Sequence, residues 1–149
     1  MNILFINGSP NKDGNTVRLA KELLKGKDYK TIHLVDYKLY SYGQNYPDDQ
    51  FDEILKEMKQ TDILVIGSPL YWHSMSGAVR NLLDRSYGTV SEEMLEDKKM
   101  YFLFQGASPT KEQLAAGDYT MGRYAALYGL EYKGMVTNQR EAEKLAKDI

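Results

Sequence analysis

The sequence predicts a doubly wound α/β domain: five parallel strands in the order 2-1-3-4-5, with helices on both faces. Two observations carry that prediction. Short apolar runs alternate about five times with stretches whose apolar residues recur at helix spacing, the pattern of a parallel sheet covered on both sides. The intervening turns are rich in Gly, Ser, Pro and Asn, and right-handed crossovers make this strand order the leading topology. No internal repeat, low-complexity tract or linker interrupts the 149 residues, so one domain spanning 1–149 is expected.

Each element has its own signal. Ile3-Leu4-Phe5-Ile6 reads as a strand buried on both faces. Beyond the polar turn Asn7 to Gly14, Val17, Ala20, Leu23 and Leu24 mark one face of a helix, and Gly26 is its C-terminal stop. Thr31 to Val35 is a second strand; His33 lies in it without a clustered partner and is read as a strand residue rather than a ligand. Asp36 to Asp49 is a loop carrying Tyr37, Tyr40, Tyr42 and Tyr46. It is either a solvated connection over a core edge or a rim for a flat ligand or a second subunit. Asp48-Asp49 stands where a helix dipole favours acid, ahead of the core stripe Phe51, Ile54, Leu55 and Met58.

Ile63 to Gly67 is a third strand, and Val79, Leu82, Leu83 and Ser86 or Tyr87 line the helix after it. Met100 to Phe104 is the fourth strand. Met121, Tyr124, Ala125 and Tyr128 mark a longer helix ended by Gly129, Tyr132 to Val136 is the fifth strand, and Ala142, Leu145, Ala146 and Ile149 line a last helix.

The loop after the first strand reads as a phosphate cradle. Gly8 is expected to let the backbone approach a bound group, and Gly14 to tolerate unusual backbone angles. Ser9, Asn15 and Thr16 offer side-chain donors beside the free N–H groups of a helix N-terminus, whose dipole favours negative charge. Five residues separate Gly8 from Gly14, and Asn15 stands where a nucleoside-triphosphatase loop carries lysine. The dinucleotide pattern G-x-G-x-x-G is absent too, so one monophosphate ester suits the loop best. The plain alternative is a strand-to-helix turn capped by Asn or Thr, binding nothing.

In this fold the loops after strands one, three and four share the edge where ligands bind. Pro69 fixes the third-strand loop, and Tyr71 or Trp72 is placed to lie against a flat ring, unless both pack into the core or a subunit interface. Backbone N–H groups around Leu70 to His73 and at Gly106-Ala107 would bond the ring's polar edge. FMN fits such a site. His73 either contacts the flavin or substrate or is structural, and Ser74 and Ser76 are expected to cap the next helix. No Ser-His-acid set or paired carboxylates stand out, so no catalytic side chain is assigned; in flavin chemistry the cofactor carries the reaction.

Composition narrows the classes further. A net charge of −2 gives no electrostatic reason to expect nucleic acid or an anionic membrane. There is no cysteine, which excludes disulfides, thiolate metal sites and cysteine nucleophiles; no metal site is expected. No apolar run is long enough to span a bilayer, and no signal peptide precedes the polar loop, so a cytoplasmic location is expected.

Two ordered motifs carry a family resemblance. Gly8-Ser9-Pro10 with Gly14-Asn15-Thr16, then Ser68-Pro69-Leu70-Tyr71-Trp72 with Ser74-Met75-Ser76-Gly77 running into Asn81-Leu82-Leu83-Asp84-Arg85, resemble the flavodoxin-fold NAD(P)H-dependent FMN reductases. That group includes iron–sulfur flavoproteins and small quinone reductases. The resemblance implies that Ser9, Asn11, Gly14, Asn15 and Thr16 hold the FMN phosphate. It implies that Pro69, Leu70, Tyr71, Trp72 and His73 border the isoalloxazine, with Gly106 and Ala107 on its other side. It further implies a homodimer with flavin sites near the interface, and hydride transfer from NAD(P)H to a quinone, azo compound, free flavin or similar small-molecule acceptor.

The chain departs from the pattern in two places. The segment Tyr40 to Pro47 lacks the cysteine cluster of many relatives, which rules out an iron–sulfur centre, and Asn11-Lys12 stands where relatives often carry arginine. Two other readings compete with the reductase. One is a flavodoxin-type electron carrier, which tends to be strongly acidic; the other is a flavin-free α/β domain binding a different phosphorylated ligand.

Overall fold

A computed structural model describes residues 1–149. The strands are β1 (Ile3–Asn7), β2 (Lys30–His33), β3 (Ile63–Tyr71), β4 (Ser74–Met75), β5 (Lys99–Gln105) and β6 (Glu131–Val136). The helices are α1 (Asn15–Leu23), α2 (Phe51–Lys59), α3 (Gly77–Ser86), α4 (Lys111–Tyr128) and α5 (Gln139–Ala146). The five long strands pair in parallel in the order β2-β1-β3-β5-β6, with the two-residue β4 folded back antiparallel on β3. With β4 set aside this is the expected 2-1-3-4-5 order of a flavodoxin-like sheet.

Strand alternation builds two cores, because successive side chains point to opposite faces. Leu4 and Ile6 join α2, α3 and α4 in a cluster of 24 buried residues, while Ile3 and Phe5 join α1 and α5 in one of 13. All the stripe residues expected on the second and fourth helices, Phe51, Ile54, Leu55 and Met58, and Met121, Tyr124, Ala125 and Tyr128, are buried. On α3 the fourth stripe position is Ser86, not the exposed Tyr87. Gly129 ends α4 at φ +82°, a left-handed cap that suits glycine.

Several boundaries differ from the sequence reading. α1 ends at Leu23 with Leu24 as its C-cap, ahead of the expected stop at Gly26, which lies in the following turn at φ 77°. The second strand stops at His33, and Leu34–Asp36 turn into a single 3-10 turn. β3 runs on to Tyr71, because its last residues gain a partner in β4. Ser74 therefore belongs to a strand and caps nothing; Ser76 alone caps α3, accepting from Val79 N–H at 3.4 Å. No helix is long and apolar enough to cross a membrane.

Candidate functional site

The register brings three loops to one edge. Asn7 lies beside Gly67 and Pro69 beside Gln105, so the chain leaves β1, β3 and β5 side by side. Cross-loop bonds hold them: Gly8 N–H donates to the Gly67 carbonyl (2.8 Å), the Ser76 hydroxyl to the Gly8 carbonyl (2.9 Å), and Gln105 Nε2 to Thr16 Oγ1 (3.2 Å). Ser68 Oγ accepts from Ser76 N–H at 2.8 Å, which fixes the start of α3 against β3.

The first loop is built on Asn7, a fully buried polar residue at the end of an apolar strand. Asn7 Oδ1 accepts from Ser9 N–H (3.0 Å), and Ser9 Oγ accepts from Asn11 N–H (3.1 Å), leaving the Ser9 hydroxyl proton free to donate. Gly14 is the N-cap of α1, and no side chain caps that helix. Ser76, Thr110 and Asn138 cap α3, α4 and α5, and the Asp49 carboxylate accepts from Phe51 N–H at the start of α2. The first-turn N–H groups of α1 thus stand without a side-chain acceptor, at the end of the helix that attracts anions. The expected Asn or Thr side-chain cap is thus not formed on α1.

Both glycine expectations change in their reason. A Cβ on Gly8 would lie 2.2 Å from Val79 Cγ2 and 2.8 Å from the Gly67 carbonyl oxygen, so the approach of α3 and β3 by itself requires glycine here. Gly14 has φ −98° and ψ −166°, extended backbone open to any residue.

Four of the sequence-selected residues line two separate clefts. Ser9 and Tyr71 line a cavity of about 180 Å³ with Gly8, Pro10, Val35 and Gly77. Asn15 and Gly106 line a cleft of about 490 Å³ on the α1 and α5 side, with Arg18, Gln105 and Thr137. Thr16 lines neither; it is buried, its methyl against Gly67, and Asn11 is exposed beside Gly14. Pro69 is buried and Leu70 half-buried, with Leu70 Cβ beside Gly106; Ala107 is exposed. The largest cavity, about 590 Å³, lies at the opposite edge around Asn2, Tyr29 and Gln60, away from the carboxyl ends of the strands where this fold binds ligands.

Trp72 and His73 form a two-residue hairpin turn joining Tyr71 to Ser74. Their φ values of 47° and 66° match the turn type whose twist suits a β-hairpin. Trp72 is 93 % exposed and lines neither cleft, so it is not a core residue. His73 Nδ1 meets Gln113 Nε2 of α4.

Sequence reasoning passed over Asn7, Gln105 and the ion pair behind the tyrosine-rich loop. Arg85 grips both oxygens of Asp49 at 2.6 and 2.7 Å, donates to the Tyr40 carbonyl, and lies over the Phe51 ring. Those hydrogen bonds hold the Asp49 carboxyl down at about 2. Asp49 thus does more than decorate a helix N-terminus: it anchors the 37–49 loop to α3. An asparagine closing an apolar strand was the one visible signal for Asn7. Nothing local pairs Asp49 with Arg85.

The profile of the family described as NADPH-dependent FMN reductase matches residues 1–122. An iron–sulfur flavoprotein of Archaeoglobus fulgidus is 37% identical over 98 residues, covering 58% of this chain and 49% of that protein. A Bacillus subtilis protein described as a putative NAD(P)H-dependent FMN-containing oxidoreductase is 32% identical over 107 residues, 66% of this chain and 59% of that one. The chain spans about half the length of the curated relatives it matches. Among solved structures, the Trp repressor binding protein from Bacillus subtilis superposes with a TM-score of 0.80 at 23% identity, over 97% of this chain and 98% of that one. An apo NADH:FMN oxidoreductase superposes at 0.71 with 20% identity, over 99% and 87%. Those two likenesses speak for the fold alone. With the bare α1 terminus and its neighbouring hydroxyls in place, and 122 residues under the family's profile, the chain belongs to the NADPH-dependent FMN reductase family.

Proposed function

We propose that this chain binds FMN and acts as an NAD(P)H-dependent oxidoreductase that reduces a quinone, flavin, azo compound or similar small acceptor. The observation that carries it is the uncapped first turn of α1 beside the buried Ser9 hydroxyl, at the point where strand order reverses between β1 and β3. The donor set suits a phosphate monoester: backbone N–H groups, hydroxyls and the Asn15 amide, with no P-loop lysine. In this reading Ser9, Asn11, Gly14, Asn15 and Thr16 hold the phosphate, and Pro69, Leu70, Tyr71, Trp72 and His73 border the ring, with Gly106 and Ala107 opposite. Bound flavin supplies the hydride chemistry; the protein orients it and excludes water.

The names of the Bacillus subtilis and Archaeoglobus fulgidus relatives support a flavin role. An electron carrier without NAD(P)H activity is the second reading, and a net charge of −2 argues against the acidic docking surface such carriers use. Stopped-flow mixing of the FMN-loaded protein with NADPH or NADH separates the two. Rapid bleaching of the flavin absorbance is expected; an unreduced flavin leaves the carrier reading.

A homodimer in the cytoplasm completes the proposal. Its support is the α3–α4 face, where exposed Tyr42, Tyr87 and Leu127 border a cleft of about 410 Å³ with Arg80, Asp84 and Arg123. Sedimentation at micromolar concentration checks it, and a monomer would remove it.

A further inference from the structure

Asn7 has its whole amide committed. Its Oδ1 accepts from Ser9 N–H at 3.0 Å, and its Nδ2 donates to the Asn11 carbonyl at 3.2 Å. Those two partners settle which end of the amide is oxygen, because a backbone N–H only donates and a carbonyl only accepts. The other Nδ2 proton meets His33 Nδ1, 3.0 Å away on the strand paired with β1, where His33 is the register partner of Asn7. His33 Nδ1 therefore presents a lone pair, and the neutral ring carries its proton on Nε2.

We propose that His33 is a positioning residue for the Asn7–Asn11 loop: neutral, it locks Asn7 and through it the loop that holds the phosphate; protonated, it releases that loop. Protonation sets N–H against N–H. The Asn7 amide has no escape by turning over, since that would face Nδ2 to the Ser9 N–H and Oδ1 to the Asn11 carbonyl. With the ring protonated, the loop loses the contact that fixes Asn7. The ionisable groups on the surrounding elements are Lys12 and Asp13 of the loop, Arg18, Lys21 and Glu22 of α1, and Asp36 of the 3-10 turn. Lys12 pairs with Asp36 at 2.6 Å and Lys21 with Asp13 at 3.8 Å, while Arg18 donates to Asn15 Oδ1 and the Asp13 carbonyl. Asn7 is the one hydrogen-bond partner of the His33 ring.

The test has two arms. In the first, long-range 1H–15N spectra of the ligand-free protein are followed from about pH 8 to 5. The Nε2–H tautomer is expected at the high end, with the Asn7 side-chain amide and the Ser9 and Asn11 backbone amides shifting along the His33 titration curve. An Nδ1–H tautomer, or amides that stay still while His33 titrates, overturns the proposal whatever the loop binds. The second arm rests on the FMN reading and compares FMN affinity in wild type, His33→Gln and His33→Leu across the same range. Glutamine keeps an acceptor and does not titrate. His33→Gln is expected to bind like wild type at high pH and to escape about a tenfold part of the wild-type weakening at low pH. His33→Leu is expected to bind about tenfold more weakly throughout, with its melting temperature recorded as the control for folding. The second ionisation of the phosphate is common to all three proteins, so their difference isolates His33. Identical pH profiles in wild type and His33→Gln overturn the coupling to binding. No FMN binding in wild type, with the spectral coupling intact, overturns the ligand and leaves the His33–Asn7 device standing.

Discussion

At Gly8 the chain of β1, the end of β3 and the first turn of α3 meet within bonding distance, and a hydrogen atom is all the space allows. Gly8→Ala is expected to destabilise the fold by about 3 kcal/mol, because its methyl would sit 2.2 Å from Val79 Cγ2. Chemical denaturation reads this, and Val79→Ala in the same chain should recover part of the loss. If it does not, the contact with the backbone of Gly67 dominates. One residue further, Ser9 keeps a hydroxyl proton to give, and Asn15 is exposed with its Nδ2 free. Ser9→Ala and Asn15→Ala are each expected to weaken FMN binding by about 1–3 kcal/mol, the loss of a charge-assisted bond to phosphate. A fluorescence titration showing unchanged affinity in both would remove the cradle assignment. Thr16 is a poorer probe, since its buried side chain also packs on Gly67 and accepts from Gln105.

The tyrosine-rich loop 37–49 is tied to α3 by the Asp49–Arg85 ion pair and by Asn81, which bonds the Leu39 carbonyl and the Ser41 hydroxyl. The Asp49 and Arg85 side chains are only 15 % and 18 % exposed, and the carboxyl sits at about 2 against an ordinary 3.8. A depressed carboxylate stabilises the fold fully above its unfolded value, and that contribution drains away as pH falls through the window from about 4 to 2. Asp49→Asn should flatten the acid side of the stability profile measured between those values. Arg85→Met, which leaves a half-buried carboxylate alone, should cost about 2–3 kcal/mol at neutral pH. The β3–β4 hairpin is the opposite case, an element whose turn residues work against it. Trp72 and His73 occupy positions where Asn-Gly is the favoured pair, at φ 47° and 66°. The double substitution Trp72→Asn with His73→Gly is expected to raise stability by about 1 kcal/mol. A gain in melting temperature together with a slower reaction with NAD(P)H would place the two side chains in function.

Across the whole molecule, ligand binding and folding are linked, since an unfolded chain has no shared edge of loops to offer. FMN at a hundred times its dissociation constant should stabilise the protein by about 2.7 kcal/mol, read as a rise of roughly 5–10 °C in melting temperature. A melting temperature indifferent to FMN would count against the proposed function as a whole. The proposed site falls at the switch point for a geometric reason: α1 leaves β1 on one face while α3 leaves β3 on the other, and the sheet changes direction between them.

Period and punctuation in the sequence determined the alternation of strands and helices, the strand order, and which loops leave the sheet side by side. Leu4 and Ile6 against Ile3 and Phe5 already assign two faces, because a side chain's direction along a strand is a local property. Gly129 likewise announced its helix end through its own backbone freedom. Only the tertiary structure decided what partners arrive from far along the chain. Val79 meets Gly8 from 71 positions away, Arg85 meets Asp49 from 36, and His33 meets Asn7 from 26. Hydrogen bonds and steric contacts act over a few ångströms in space, whereas the residues that make them here are separated by whole elements. No pattern within either segment records the match, so the reason for Gly8, the anchoring of the tyrosine-rich loop and the contact of His33 with Asn7 became visible only when the sheet brought those segments side by side.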